Sequence, residues 1–318
     1  MEVPAHADNQ LHLVRKSSFL TNNNILKGLN MKAVDFESLS RYARVLGTIR
    51  KKPGRVETLP SASYVDREVS IDGDHLSRYA ALCGFSADQG VPLTYPQLLT
   101  FPLALEYMAS DASPWSGLGT VHLASDIRQF QALNIGDRVT VELCTGTLMA
   151  HRRGQVFTLE SRIMRGAQEV WASTQSLLRI GVQDPQGDPY RALPGASEPL
   201  ALSATFKAGS NTGRRYGLVS GDLNPIHLTA VSAKLFGFRR AIAHGMWTKA
   251  RALAELLPSG RTDTAEVKVE FKSPLFLPAK AALWASRDES GSSFEVRGDA
   301  SQTTHLRGRL KLQGPGPA

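Results

Sequence analysis

Apolar and polar positions alternate in a way that divides the chain into two similar bodies. Residues 61–181 and 200–312 each show a short strand pattern, a polar helical turn, one long apolar helical segment and then four strand patterns. The stretch between them, residues 182–199, carries four prolines, a composition typical of a linker. The pattern therefore predicts one architectural unit built twice.

Each body has one segment suited to be a buried helix. In the first it is Tyr95–Ser110, with Pro96 in the first turn, where proline is tolerated, and Pro102 where it should kink the helix or delay its start. In the second it runs from about Met246 to Leu257. Strands beside one segregated helix indicate the α+β class, with an antiparallel sheet wrapped around each helix.

The segments outside the two bodies are predicted to be peripheral. Residues 1–60 form an N-terminal extension in which apolar residues from Phe36 to Leu46 have helical spacing. Asp35 is the expected N-cap, and Pro53-Gly54 the expected stop. We therefore expect an amphipathic helix that covers part of the body of the protein. Residues 313–318 are expected to fray as a tail.

Composition excludes several classes of protein. A hydrophobic content of 42% argues against disorder, and no apolar run approaches the roughly 20 residues that cross a bilayer. Two distant cysteines and the absence of a secretory-signal pattern predict a reduced, cytoplasmic setting. The formal charge of +8 favours an anionic partner, but the charges are scattered, which disfavours nucleic acid.

One polar cluster in the second body combines residue types that are typical of a catalytic site. Asp222 and His227 lie five residues apart, with Ser220-Gly221 before them and Asn224-Pro225 between them. Gly221 and Asn224-Pro225 allow two sharp turns, so the acid and the imidazole can approach one point. An aspartate and a histidine around one water molecule form a plausible general acid–base device.

A second His-Gly pair supplies the other half of this chemistry. If Gly245 begins the helix after His244, its N–H is a donor that the helix leaves unused. Such a donor can polarise a thioester carbonyl with the help of the helix dipole. Reversible addition of water across the α,β bond of the thioester then becomes feasible.

These residues carry a family resemblance. Tyr216, the run Ser220–His227 and the run Phe236–Met246 are similar to the hydratase-2 motif of the MaoC-like, R-specific enoyl-CoA hydratases. The resemblance implies a double hot-dog fold, in which a degenerate first half supports an active second half. It also implies that Asp222 and His227 are catalytic, that Ser220 and Asn224 support the geometry, and that the Gly245 amide serves the oxyanion.

Other histidines and one acidic cluster are expected to have no catalytic role. In the first body, Asp72-Gly-Asp74-His75 lacks the spacing and the Asn-Pro of the second-body motif. We expect His244 to pack at the start of its helix and His122 to be structural. His75 and His305 are expected to be surface residues.

Basic residues flank the motif and suggest an anionic ligand. Either they pair with the phosphates of coenzyme A or with an acidic carrier protein, or they form a solvated basic surface. They are Arg214, Arg215, Arg239, Arg240 and Lys249. No nucleotide-binding loop and no metal-ligand spacing occurs, so no metal is expected and no cofactor beyond the CoA or phosphopantetheine of the substrate.

Three functions remain open from the sequence. The leading hypothesis is a hydro-lyase of fatty acid metabolism that interconverts trans-2-enoyl and (R)-3-hydroxyacyl thioesters of CoA or acyl carrier protein. The alternatives are a hot-dog thioesterase and a non-catalytic partner subunit. A homodimer of double hot-dogs is a further expectation.

Overall fold

A computed structural model describes residues 36–52, 54–288, 291–298 and 303–313. The Asp35 cap, the Pro53 stop and the greater part of both predicted tails lie outside the described residues. None of the described helices has the length and apolar character needed to cross a membrane.

The described elements follow the predicted order in both halves. The first half consists of α1 (Phe36–Gly47), β1 (Ser63–Ser70), α2 (Gly73–Cys83), α3 (Pro96–Ala109), β2 (Thr120–Gln129), β3 (Arg138–His151), β4 (Gly154–Arg165) and β5 (Gln168–Ile180). A short β6 (Asp188–Pro189) follows. The second half consists of β7 (Ala201–Ala208), α4 (Thr212–Ser220), α5 (Pro225–Leu228), α6 (Ala230–Leu235), α7 (Gly245–Leu256), β8 (Thr264–Phe271), β9 (Ala279–Asp288), β10 (Gly291–Gly298) and β11 (Thr304–Gln313).

The strands of the two halves join into one sheet. Its order is β1-β3-β4-β5-β2-β8-β11-β10-β9-β7, and all of these neighbours pair antiparallel. The halves meet where β2 pairs with β8, with Ser125 opposite Val269. The predicted α+β, double hot-dog fold is confirmed, and the sheets predicted for the two helices prove to be continuous.

The two long helices lie against this sheet as predicted. In α3, Leu98, Leu103 and Tyr107 are buried, and the helix starts at Pro96 and runs through Pro102. Proline there cannot donate its hydrogen bond, but burial of the surrounding apolar side chains holds the helix together. In α7, Trp247 and Leu253 are buried in the same core.

The linker and α1 both make ordered contacts with the two halves, which their composition did not indicate. Within the linker, β6 pairs in parallel with Met149 and Ala150 of β3. The amphipathic α1 is present, but its Tyr42 and Val45 share a buried cluster with Leu223 and Leu228 of the second half. The predicted amphipathic helix thus covers part of the body, and the surface that it covers includes the segment that carries Asp222 and His227.

Candidate active site

The segment before Asp222 is turned sharply by two glycines. Helix α4 ends at Gly221, whose φ of 76° lies in the left-handed region that favours glycine and whose N–H donates to Gly217 O at 2.9 Å. A Cβ on Gly217 would lie 2.7 Å from Asp222 O. The chain therefore folds back tightly onto α4 and presents Asp222 at the turn.

Ser220 and Asn224 hold this turn by side-chain hydrogen bonds. The Asp222 N–H donates to Ser220 Oγ at 3.2 Å, and the Asn224 N–H donates to Asp222 Oδ1 at 3.2 Å. Asn224 Oδ1 accepts from the Ile226 N–H at 3.3 Å and so caps α5, with Pro225 at its first position. Both side chains thus hold the backbone of the turn that carries Asp222.

His227 is oriented by one backbone contact. Its Nδ1–H donates to Ile242 O at 2.8 Å, so Nε2 carries the lone pair in the neutral ring. The side chain is buried, whereas Asp222 keeps 29% of its side-chain surface accessible. A ligand can therefore reach the pair from the side of the carboxylate.

His244 completes the cluster. Its ring stacks on that of His227 with centroids 3.7 Å apart, and its Nε2–H donates to Asp222 O at 3.1 Å. The same Nε2 lies 3.6 Å from Asp222 Oδ2. The centroid of the Tyr216 ring lies 4.9 Å from that of the His244 ring. His244 packs at the start of α7, as predicted, and contacts both members of the proposed pair.

Burial moves the pKa values of the acid and the imidazole towards each other. The pKa of Asp222 is raised by burial, although the charge of His227 and the Asn224 amide oppose this. The pKa of His227 is lowered by burial, against the influence of Asp222 and of Ile242. Since a smaller difference in pKa makes proton exchange less costly, the pair is suited to general acid–base chemistry.

Gly245 begins α7, next to this cluster. As the first residue of the helix it has an N–H that no helical carbonyl accepts. A Cβ at this position would lie 2.7 Å from Phe271 Cδ1, so only glycine fits without displacing that ring. The backbone of Gly245 is partly accessible, so its amide can donate to a ligand oxygen.

Asp222, His227 and His244 also form a set of metal-ligand types, with donor atoms within 4.8 Å of one another. Metal ligands must direct their lone pairs to one point about 2 Å away. The two imidazole planes are only 25° apart and stacked, so their lone pairs run side by side and do not converge. This geometry favours proton transfer over metal binding.

The predicted basic residues divide into two groups. Arg215, Arg239 and Arg240 are exposed and Arg214 is partly buried, so these four lie where a ligand can meet them. The Arg239 guanidinium lies 4.5 Å from the centroid of the Phe276 ring. Lys249, in contrast, is fully buried and donates to Ser125 Oγ at 2.7 Å. Its prediction as a ligand-pairing surface cation was wrong, because its stem packs inward from α7.

The acidic cluster of the first half is a helix start. Asp72 Oδ1 accepts from the His75 N–H at 2.6 Å and caps α2. His75 itself is partly buried and was wrongly expected at the surface. Its Nε2–H donates to Val219 O at 2.7 Å, and its Nδ1 accepts from the Tyr95 hydroxyl at 2.9 Å. His75 thus ties the first half to the carboxyl end of α4.

Two other histidines also occupy interior positions. His305 was expected at the surface but is partly buried, with Nδ1 3.2 Å from Ser273 Oγ. His122 lies on β2, where its ring is 4.8 Å from that of Phe271. Burial lowers the pKa of His122 to about 3, so it is neutral near pH 7.

One neighbour of the site was missed in the sequence. Tyr42 of α1 is buried against the catalytic segment, and its pKa is raised by burial and by the charge of Asp222. The helical spacing of α1 predicted an apolar face, but spacing alone does not say which surface that face covers.

Comparisons with known proteins identify relatives of this chain in sequence and in fold. Residues 194–306 match the family model described as MaoC like domain. A 3-hydroxyacyl-thioester dehydratase X from Mycobacterium tuberculosis is 32% identical over 260 residues, which cover 81% of this chain and 91% of that relative. The crystal structure of HtdX from the same organism has a TM-score of 0.68 at 30% identity, covering 79% of this chain and all of that one. A MaoC-like dehydratase from Phytophthora capsici shares the fold, with a TM-score of 0.63 at 17% identity over 85% of this chain and 99% of its own.

Proposed function

The chain belongs to the MaoC-like dehydratase family, and from that premise we propose that it interconverts trans-2-enoyl and (R)-3-hydroxyacyl thioesters. The reaction adds water across the C2–C3 bond or removes it. The observation that carries the proposal is the placement of Asp222 and His227 on one tight segment beside the first amide of α7. A relative named as a 3-hydroxyacyl-thioester dehydratase supports the same chemistry.

The geometry suggests a role for each group. The thioester carbonyl accepts a hydrogen bond from the Gly245 N–H, which draws electron density from C3. A water molecule bound between Asp222 and His227 attacks C3, and His227 Nε2 takes its proton. The resulting enolate is stabilised at its oxygen by Gly245, and the pair returns a proton to C2. Dehydration follows the same steps in reverse.

The anionic part of the substrate has an expected place outside this cluster. The four arginines Arg214, Arg215, Arg239 and Arg240 lie on the segments that precede α5 and α7. We propose that they attract the phosphates of coenzyme A, or the phosphopantetheine and acidic surface of an acyl carrier protein. Lys249 is not part of this group, since it is buried.

The test uses purified full-length protein and trans-2-enoyl-CoA substrates. Loss of the enoyl absorbance, with an (R)-3-hydroxyacyl product, supports the proposal. Asp222→Asn should lower kcat by roughly 100- to 10,000-fold, the usual contribution of a general acid or base, without lowering the melting temperature markedly. The assignment of the site fails if this variant keeps near-wild-type turnover. Release of free thiol without an (R)-3-hydroxyacyl product would instead indicate a thioesterase, because hydrolysis also removes the enoyl thioester absorbance.

A further inference from the structure

Lys249 places a positive charge in the interior, beside the proposed oxyanion site. It lies on α7 four residues after Gly245, is fully buried, and donates from Nζ to Ser125 Oγ of β2 at 2.7 Å. Helical side chains lean towards the helix N-terminus, so a lysine at this spacing covers the turn that Gly245 begins. The stem of Lys249 therefore passes this turn, and the ammonium group at its end faces the seam between the two halves.

No carboxylate of the described residues forms an ion pair with Lys249. Asp126 follows Ser125 on β2, so its side chain points to the opposite face of the sheet. There its Oδ2 lies 4.0 Å from Lys268 Nζ. An ammonium buried without a counterion is unfavourable. The pKa of Lys249 reflects this, because burial lowers it to about 7 although Asp126 opposes the shift.

The groups around Lys249 are polar and incompletely paired. Gln175 of β5 donates from Nε2 to Ser125 Oγ at 3.1 Å and to Gln97 Oε1 of α3 at 2.7 Å. Within the described ranges, Gln175 Oε1 and His122 Nε2 are buried without a hydrogen-bond partner. The Lys249 ammonium group has two further N–H groups besides the one that donates to Ser125. Unpaired polar groups of this kind are rare in protein interiors and indicate a site for a polar ligand.

This polar cluster is contiguous with the catalytic cluster. The Phe271 ring contacts the position of Gly245, and the His122 ring lies 4.8 Å from Phe271. His122 and Phe271 are both partly accessible, so an acyl group held at Gly245 can extend along them. Lys249 is close enough to His122 for its charge to lower the pKa of that imidazole further, so the far end of such an acyl group would approach the ammonium group.

We propose that Lys249 recognises a carboxylate at the far end of the acyl group, so that the enzyme prefers enoyl thioesters that carry a terminal acid. This inference rests on the proposed function. A carboxylate supplies the missing counterion and can accept hydrogen bonds from the two remaining N–H groups of Lys249. Ser125, Gln175 and Gln97 then act as the frame that holds the ammonium group in place.

The first test is a binding measurement that needs no turnover. Saturated adipoyl-CoA and hexanoyl-CoA have the same chain length and differ by the terminal carboxylate, and calorimetry gives a Kd for each. We expect wild-type protein to bind adipoyl-CoA at least about tenfold more tightly. Lys249→Met should remove this difference and leave hexanoyl-CoA binding unchanged. Lys268→Met, on the outer face of the neighbouring strand, should retain the difference.

Other outcomes overturn the inference. Equal dissociation constants in the wild type, or a difference that survives in Lys249→Met, would show that Lys249 does not recognise the carboxylate. Methionine replaces a buried charge with an apolar chain of similar length, so this variant should fold. If its thermal melt shows that it does not, Ser125→Ala removes the contact that orients the ammonium and should reduce the difference in Kd.

A second test separates this inference from the proposed function. Hydration is measured with the six-carbon trans-2-enoyl-CoA and with its counterpart that ends in a carboxylate. Turnover of both with equal kcat/KM, together with equal binding of the saturated pair, overturns the preference and leaves the hydratase activity standing. Preferential binding without any hydration supports the carboxylate site and contradicts the proposed function.

Discussion

The imidazole rings of His227 and His244 stack with their centroids 3.7 Å apart and their planes 25° apart. Two imidazolium ions cannot coexist at this distance in a buried site, so at most one of the two rings can be positively charged. The pKa of His244 is held well below its ordinary value by burial and by His227. His244 therefore stays neutral, and in the proposed mechanism it acts as a rigid surface for the His227 ring while that ring exchanges protons.

Replacing His244 should affect turnover through positioning. His244→Phe keeps an aromatic surface against His227 but removes the Nε2–H donor to Asp222 O. Loss of a buried hydrogen bond costs about 1–3 kcal/mol. We expect kcat to fall by roughly 10- to 100-fold with little change in KM. Steady-state kinetics would show this, and a variant that raises KM alone would contradict the positioning role.

Substitutions at Gly245 should distinguish its effect on packing against Phe271 from its proposed effect on turnover. Gly245→Ala places a methyl group against the Phe271 ring, which should lower stability by about 1–3 kcal/mol and shift the helix start. We expect kcat to fall about 100-fold or more, since one displaced oxyanion donor has that effect. The double variant with Phe271→Leu should recover much of the stability.

Thermal unfolding and kinetics of the two Gly245 variants distinguish the effects. If space alone matters, Phe271→Leu restores turnover together with stability. If the direction of the Gly245 N–H matters, as we propose, turnover recovers less than stability does. Phe271→Leu alone is the matched control.

His75 should support the site from the first half. His75→Ala removes the donor to Val219 O and the acceptor for the Tyr95 hydroxyl. Because Val219 lies three residues before Asp222, we expect kcat to fall several-fold. His75→Gln can bridge part of the same distance and should recover activity. Tyr95→Phe removes only the second contact, and a loss as large as that in His75→Ala would contradict the role given to Val219.

Stability should decrease as the pH falls below about 6.5. The folded-state pKa values of His122, His227 and His244 are all depressed, that of His122 to about 3. The unfolded chain binds more protons than the folded chain below the ordinary histidine pKa of about 6.5, so protonation favours unfolding. Each such histidine contributes a slope of up to about 1.4 kcal/mol per pH unit.

Denaturant titrations between pH 7 and pH 5 would measure this decrease. His122→Gln should flatten the dependence relative to wild type, because one of the histidines with a depressed pKa is then absent. Parallel curves for wild type and His122→Gln would contradict the assignment.

Much of the fold and the central motif could be predicted from the sequence, for a physical reason. Strand alternation and the apolar helices are local patterns, and the turn at Gly221 and Asn224-Pro225 depends on residues within a few positions of each other. Ser220, Asn224 and His244 accordingly make the local contacts expected of supporting and packing residues.

The errors concern residues whose partners are distant in the chain. His75 bonds to Val219, 144 residues away, and Lys249 bonds to Ser125, 124 residues away. The neighbouring sequence does not distinguish a charged residue that faces solvent from one that is directed to the seam between the halves. Tyr42 is a similar case, since its packing against Leu223 requires the fold of the second half.

The pairing of β2 with β8 has a consequence for expressing the two halves as separate proteins. Expressed alone, the second half would expose β8 as an edge strand with unpaired backbone groups and with the core residues Ala265, Val267 and Val269 on one face, and such an edge is a template for aggregation. We therefore expect that half to be insoluble by itself and to be rescued by co-expression of the first half, which supplies β2. The half without the proposed catalytic pair would thus be needed for the solubility of the half that carries it, because its β2 covers the edge of β8.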